Sequence, residues 1–343
     1  MCFDKDLFIN YWHLICHKNE LLNDGDFLRF YTPIGDVVLF NDLGNIIAFD
    51  NKCPHRGAKF FKEDFGNRII SCSYHRWAYR NSKVIIPDRN RFIGCDIDDV
   101  DLNKYKIEWC GDFIFLGIQP RFELGVQLGN FVADMLTKIS MSIDKRFDFN
   151  RFNFECYWAI AMENGLELYH APSVHPTTLW NAKLTEADVY LGENYSVLNA
   201  AIGNPKMKKQ LLSLRKFFDL SFQYEGFMAI YIFPFTALTS TFGYSYGLQH
   251  YFPSAEPCNI TKFTSRILSS KPIKTEYTEF LKPLLEQYAL SARKVFDEDN
   301  EICKQVATDS WSLSPLKYAS SMEKQIVHFR GICSEYNKFI TAN

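Results

Sequence analysis

The chain has 343 residues, of which 47% are apolar, 16% aromatic and 23% charged, a profile that excludes a disordered or fibrous chain and allows a sizeable core. At the usual domain size that length is read as two domains. With 38 basic against 40 acidic residues the formal charge is -2, so there is no bulk electrostatic footprint for nucleic acid or an anionic membrane, and neither is expected as a partner.

The first residues carry Asp4, Lys5 and Asp6 ahead of a short mixed apolar stretch. They lack the basic flank, long apolar run and small-residue cleavage site of an export signal, so they read as a mature start. From 26 to 118, short apolar runs at 27–31, 37–40, 46–49, 69–71, 84–86 and 113–116 alternate with turn residues and predict a small all-β domain. After Pro120 the texture changes to helical candidates at 206–217 and 278–307, with a β-rich aromatic stretch at 227–252 between them, which predicts an α+β domain. The expected division is 1–120 and 121–343. The longest apolar run, 226–238, is broken by Pro234 and is too short to span a bilayer. The ten cysteines show no disulfide-framework spacing and read as thiols or metal ligands of a cytoplasmic protein.

Two of those cysteines belong to paired loops. Cys53-Pro54-His55 is followed, after sixteen residues, by Cys72-Ser73-Tyr74-His75. Each loop lies between predicted strands and offers one thiolate and one imidazole, a donor set that suits zinc or an iron–sulfur cluster. Zinc fingers pair cysteine with cysteine and histidine with histidine, whereas here each loop mixes the two types. That spacing lets Cys53 and Cys72 hold one iron of a [2Fe-2S] cluster and His55 and His75 the other, the Rieske arrangement. Pro54 and Gly57 permit tight turns beside a cluster, and Trp77 and Tyr79 are placed to shield it.

A second constellation lies at 163–175, where Glu167 and His170 are three apart, as on one helical face, and Pro172 breaks regularity before His175. Two imidazoles and one carboxylate on one side of an ion form the facial site of non-haem Fe(II), with open positions opposite. The acidic run 297–301 on the predicted C-terminal helix offers the carboxylate. Asp299 is expected to share an inward face with Val295, Ile302 and Val306, ahead of Asp297 or Glu298.

Three other signals are discounted. Gly243-Tyr244-Ser245-Tyr246-Gly247 has the spacing of a hydrolase nucleophile elbow but sits in a strand-like stretch with Tyr244 and Tyr246 on one face and no helix following, so Ser245 reads as structural. Lys206, Lys208, Lys209 and Arg215 read as the solvated face of an amphipathic helix. His13, His17, His250 and His328 have no ligand-like neighbours. Phe233, Phe235, Phe242 and Tyr244 are candidate walls of a substrate pocket.

The Cys-His loops, the run Glu163-Asn164 through Glu167, Tyr169, His170 and His175, and the late Glu298-Asp299 through Ile302-Cys303 segment together resemble the catalytic alpha subunits of the Rieske non-haem iron, aromatic-ring-hydroxylating oxygenases. The resemblance implies an N-terminal all-β Rieske domain followed by an α+β, helix-grip-like catalytic domain with a central antiparallel sheet. It implies Cys53, His55, Cys72 and His75 as cluster ligands and His170, His175 and Asp299 as ligands of a mononuclear Fe(II). Asn164 is counted with the catalytic residues. Glu167 stands where the family most often has Asp, the carboxylate that links the cluster of one subunit to the iron of its neighbour in a head-to-tail homotrimer. Arg76 stands where the family usually has Gly. The implied chemistry is hydroxylation or oxidative demethylation of a small organic substrate with O2. Electrons come from a separate ferredoxin or flavin reductase, since the chain has no convincing dinucleotide-binding or phosphate-binding loop and no plant-type ferredoxin cysteine run. Ring cis-dihydroxylation is the alternative within the family, and a Rieske electron carrier without catalytic iron the alternative outside it.

Overall fold

A computed structural model of the chain describes residues 3–254 and 259–342. After helix α1 (Phe3–Asn10), ten strands follow: β1 (His13–His17), β2 (Asp26–Thr32), β3 (Gly35–Asp42), β4 (Asn45–Asp50), β5 (Phe65–Asn67), β6 (Ile70–Ser71), β7 (Ala78–Arg80), β8 (Lys83–Ile85), β9 (Lys104–Cys110) and β10 (Phe113–Gly117). Seven of them form an antiparallel sheet in the order β1-β10-β9-β4-β3-β2-β5, and β6-β7-β8 form a small sheet beside it. The run Val37-Val38-Leu39-Phe40 is continuously apolar because both faces of β3 are covered. Val37 and Leu39 enter a core shared with the rest of the chain, while Val38 and Phe40 pack with Cys53, Cys72 and Trp77. That second face is the floor on which the two Cys-His loops rest.

The remainder begins with helix α2 (Leu124–Ser142) and strand β11 (Ile143–Phe154), then helices α3 (Trp158–Gly165) and α4 (Ala171–Val174). Strands β12 (Leu184–Leu191) and β13 (Tyr195–Ile202) precede helix α5 (Pro205–Leu214); β14 (Phe227–Ile232), β15 (Thr236–Thr241), β16 (Ser245–Pro253) and β17 (Thr261–Ser270) follow it. These strands form a seven-stranded antiparallel sheet, β11-β17-β16-β15-β14-β13-β12. Helix α6 (Tyr277–Cys303) packs against α3 and β11, and α7 (Lys324–Ala342) closes the described chain. Strict alternation sorts the central strands: Met228, Ile230, Leu238, Tyr246 and Leu248 enter one core, and Phe227, Ala229, Thr239, Thr241, Gln249 and Tyr251 face a cavity on the other side.

The two large sheets are joined by buried polar contacts as well as apolar ones. The apolar cluster runs without a break from Leu28, Phe30 and Leu39 to Phe235, Phe252 and Phe329. Glu20 lies between Arg266 and Arg146, at 3.6 and 3.5 Å, with Glu20 and Arg266 side chains fully buried. His250 of β16 donates through Nε2 to the carbonyl of Leu14 in β1 at 2.8 Å. Helix α1, expected to belong with the N-terminal sheet, instead packs on the second half: Asp4 accepts from Trp158 Nε1 at 2.8 Å and Tyr157 Oη at 2.6 Å. None of α2, α3, α7, β12 or β17 was predicted, because their sequences lack clean caps or alternation and tertiary packing selects their state. Among the described residues no helix is long and apolar enough to cross a membrane, and eight cysteines are free.

The discounted signals have structural explanations. Gly243 turns with φ +76° and Ser245 is a buried strand residue with no helix after it. Tyr244 and Tyr246 do not share a face: Tyr244 stacks on Phe218 at 4.6 Å, whereas Tyr246 enters the other core. On the basic helix, Lys208 and Arg215 each lie 3.6 Å from Glu225. His13 and His17 donate to the carbonyls of Phe8 and Ser140.

Burial holds the His13 and His17 imidazoles down to about 4 and pushes that of His250 well below its ordinary value, so all three are neutral in the native state near pH 7. In the unfolded chain they take up a proton below about 6.5, so the stability they contribute is lost as pH falls from there toward 4. His17→Gln removes one such site. The drop in unfolding free energy between pH 7 and pH 5, measured by urea titration, should be smaller in this variant than in wild type by roughly 2 kcal/mol. Equal drops would show that His17 is not held neutral.

Candidate metal centres

The two Cys-His loops are built alike. Cys53 N–H donates to the Ala58 carbonyl at 2.8 Å and Gly57 N–H to the Cys53 carbonyl at 2.8 Å. In the second loop Cys72 N–H donates to Trp77 at 2.7 Å and Arg76 N–H to Cys72 at 2.9 Å. Each loop therefore reverses over the same interval and requires left-handed backbone at its fourth position after the cysteine, where φ is +73° at Gly57 and +62° at Arg76. Both cysteines are buried, and burial pushes the Cys53 thiol up, with Cys72 beside it adding to the effect. The imidazoles are at the tips: Nδ1 of His55 and of His75 are 3.2 Å apart. His55 stacks on Trp77 at 4.8 Å and His75 on exposed Tyr74 at 3.9 Å, while Tyr79 is buried in the floor. Two thiols underneath and two imidazoles above are a donor set that fits a [2Fe-2S] cluster of Rieske type.

The second group draws on two distant segments. Helix α3 ends at Gly165, so Glu167 and His170 lie on an irregular connector, not on the helical face expected for them. Glu167 Oε2 accepts the N–H groups of Tyr169 and His170, which satisfies donors at the entrance to α4. Pro172, expected to break regularity, stands in the first turn of α4, where its missing N–H costs nothing. The turn of α4 brings His175 back beside His170, with their Nε2 atoms 3.2 Å apart.

Helix α6 supplies the carboxylates from more than 120 residues away. Asp299 Oδ1 lies 2.9 Å from His175 Nε2 and 3.5 Å from His170 Nε2, and it accepts from Asn164 Nδ2 at 2.7 Å. His170, His175 and Asp299 each present one atom within 4.8 Å of the others, a set able to hold a metal ion. The helix ends at Cys303, earlier than predicted, and its inward face is Phe296, Asp299 and Cys303; Ile302 and Val306 are 38% and 42% exposed. Of the alternatives to Asp299, Asp297 is exposed, and Glu298 has another place: its Oε2 accepts from His175 Nδ1 at 2.8 Å and Thr178 Oγ1 at 2.7 Å. Glu167 Oε1 receives His170 Nδ1 at 2.5 Å in the same manner. Glu298 as the partner of His175, and Thr178 as the donor to Glu298, were missed; the only signal was the adjacency of Glu298 to Asp299, which does not reveal a contact 123 residues away.

Burial lowers the affinity of His170 for a proton, but the carboxylates of Asp299 and Glu167 outweigh it and raise this imidazole to about 9. His175 is raised despite its burial by Asp299 and Glu298, and Asp299, despite its own burial, is lowered by the two imidazoles. Both Nε2 atoms lie within 3.5 Å of Asp299 Oδ1. With each Nδ1 paired with a carboxylate, two unprotonated Nε2 atoms and one carboxylate oxygen would face the same gap, a donor set that fits Fe(II).

A cavity of about 320 Å³ opens beside His170, His175 and Asp299. Its walls come from β13 to β16, α5, α6 and the start of α7, including Leu198, Met207, Phe227, Gln249, Tyr251, Tyr288 and Gln325. Phe233, Phe235, Phe242 and Tyr244, expected as walls, lie in the packed clusters instead. All four lie in the turns that join β14 to β15 and β15 to β16, whereas the cavity is lined by residues within those strands and by helices.

Arg76 carries a left-handed backbone for which Gly57 is the equivalent in the other loop. Arg76→Gly should therefore stabilise the protein by about 0.5–1 kcal/mol and, by removing a positive charge next to His75, lower the cluster reduction potential. Thermal unfolding and redox titration check the two effects; an unchanged or lower Tm would show that the turn carries no strain.

Residues 11–90 match the Rieske [2Fe-2S] domain family. The carnitine monooxygenase oxygenase subunit of Escherichia coli strain K12 is 27% identical over 179 residues, covering 50% of this chain and 48% of that protein. The anthranilate 1,2-dioxygenase large subunit of Acinetobacter baylyi is 24% identical over 182 residues, covering 49% of this chain and 38% of that one. The chain thus spans about half the length, or less, of these relatives. In structure it is similar to the quaternary ammonium Rieske monooxygenase CntA in complex with L-carnitine, with a TM-score of 0.74 at 18% identity over 97% of this chain and 90% of that one. Naphthalene 1,2-dioxygenase with indole bound gives 0.72 at 15% identity over 96% and 88%. A Rieske [2Fe-2S] domain at 11–90, joined to an antiparallel sheet crossed by helices, gives this chain the fold of the Rieske oxygenases.

Proposed function

We propose that the chain is the oxygenase component of a Rieske monooxygenase. It would use O2 and electrons from a separate ferredoxin or flavin reductase to hydroxylate or oxidatively demethylate a small organic substrate. The observation that carries this reading is the convergence of His170, His175 and Asp299 on one gap at the mouth of a cavity, in a chain that also carries a Rieske domain. In the proposal Cys53, Cys72, His55 and His75 hold the cluster, and His170, His175 and Asp299 hold Fe(II). When bound, the two groups would supply single electrons and a site for O2 activation.

The remaining steps belong to this chain's side chains. Glu167 and Glu298 each hold the Nδ1–H of one imidazole, fixing its tautomer and orientation. Asn164 donates to Asp299 and keeps that carboxylate turned toward the imidazoles. The cavity walls hold substrate next to the gap and exclude water. We assign Glu167 a second role, as the link to His75 of a neighbouring subunit in a head-to-tail homotrimer. Supporting it, His75 and Tyr74 form an exposed tip, and Glu167 is held on His170 with its side chain 10% exposed. The division at residue 120 is kept as the functional boundary, with α1 as a strap onto the second unit. The free thiols among the described residues support a reducing, cytoplasmic location. The likeness to naphthalene 1,2-dioxygenase supports ring dihydroxylation as the second reading.

Protein purified without air should contain about three irons and two acid-labile sulfides per chain and give a Rieske-type EPR spectrum after dithionite reduction. His170→Ala should keep that spectrum, lose the third iron and abolish substrate-dependent O2 consumption. Two irons in the wild type, with His170→Ala without effect, would leave an electron carrier; zinc without sulfide would overturn both centres. Glu298→Gln should weaken iron binding roughly 10- to 100-fold, read by competition with a chelator, with the cluster spectrum unchanged.

A further inference from the structure

The cavity beside His170, His175 and Asp299 is long for its volume. On α6 it is lined by Tyr288, Ser291, Ala292, Val295, Phe296 and Asp299, which form one unbroken stripe of the helix. At the helical rise this stripe spans about 16 Å, and no α6 residue before Tyr288 reaches the cavity. Spread over that length, a volume of about 320 Å³ leaves a mean cross-section of about 20 Å², enough for one extended chain or a ring seen edge-on.

The two ends differ. At one, Asp299 and the two imidazoles surround the metal gap. At the other, Tyr288 is hydrogen-bonded to Thr239 of β15, so helix and sheet close on each other there. Beyond that closure Leu281 and Leu284 of α6 pack with Ile202, Phe218 and Tyr244. Tyr288 itself is half-buried and lines the cavity, so it is the wall that a molecule reaching away from the gap would meet. The long sides offer such a molecule few free polar groups. Tyr251 Oη donates to Gln249 Oε1 at 3.0 Å and Gln249 Nε2 to Thr239 Oγ1 at 3.2 Å, while Leu198, Phe227, Ala229 and Val295 are apolar. Groups already paired gain little from a polar ligand, whereas each CH₂ buried against apolar surface is worth about fourfold in affinity.

We propose that the cavity takes an extended aliphatic or aryl-alkyl molecule lengthwise, with one end at the metal gap, and that Tyr288 sets the longest chain accepted. The inference rests on the oxygenase reading for the gap as the reacting end; the length limit follows from α6 and the sheet alone. Tyr288 acts by contact with the far end of the substrate and stands outside the metal-binding set.

Calorimetric titration of the metal-loaded protein with straight-chain 1-alkanols from butanol to tetradecanol, and with the compact 1-adamantanol, tests it, with iron content measured on the same samples. Affinity should rise about fourfold per CH₂ and then stop at one chain length. 1-Decanol should bind at least about tenfold more tightly than 1-adamantanol, which has as many carbons. Tyr288→Ala should move the stop to longer chains, a gain that misfolding would not mimic, and Tyr288→Phe should leave it in place. Ala229→Leu, which adds bulk beside Thr239 where the two strands pair, should move the stop to shorter chains. Equal or tighter binding of 1-adamantanol, a rise that never stops, or the same stop in Tyr288→Ala as in wild type would overturn the proposal. Chain-length-limited binding by protein that holds no third iron would instead overturn the oxygenase reading and leave the length limit standing.

Discussion

Asp299 places a carboxylate where burial alone would expel it, and two imidazoles and one amide make that placement possible. His170, His175 and Asn164 all converge on its Oδ1. Around this pivot three carboxylates, Glu167, Asp299 and Glu298, face two imidazoles.

Holding that pivot requires α6 to lie against α3, which carries Asn164, and α3 to be fixed in turn. Glu163, one residue before Asn164, is clasped by Arg330 of α7 at 2.6 and 2.8 Å and by Trp311 Nε1 at 2.8 Å. Trp158 at the start of α3 is tied to Asp4 of α1. The first and last helices of the described chain are thus both anchored on the short helix that positions the site.

The Cys-His loops rest on different physics. Their conformation is local, set by short-range backbone hydrogen bonds and one left-handed residue in each loop, and their floor is one face of a single sheet. Little outside residues 27–102 packs against that floor. The group of His170, His175 and Asp299, by contrast, depends on contacts across more than 120 residues.

That contrast divides what could be read from the amino-acid order from what could not. Cys53 with His55 and Cys72 with His75 were legible because the two donors of each pair sit in one loop, where spacing is geometry. His170 and His175 were legible for the same reason, and so was the existence of the long helix that carries Asp299. The inward face of that helix was read from the wrong neighbours: Val295, Ile302 and Val306 pointed to Asp299, yet Phe296 and Cys303 form the buried stripe beside it. The partnership of Glu298 with His175, the clasp of Arg330 on Glu163 and the contact of Tyr288 with Thr239 left no local mark, since each depends on how distant segments meet. The aromatic residues Phe233, Phe235, Phe242 and Tyr244 misled for a related reason, because an aromatic stretch does not say where its strands end, and these four sit in the turns and pack into the cores. Local spacing determined the donor chemistry of this protein; only the docking of helices on the second sheet decided the walls around it, since side-chain direction there is set by packing across the whole chain.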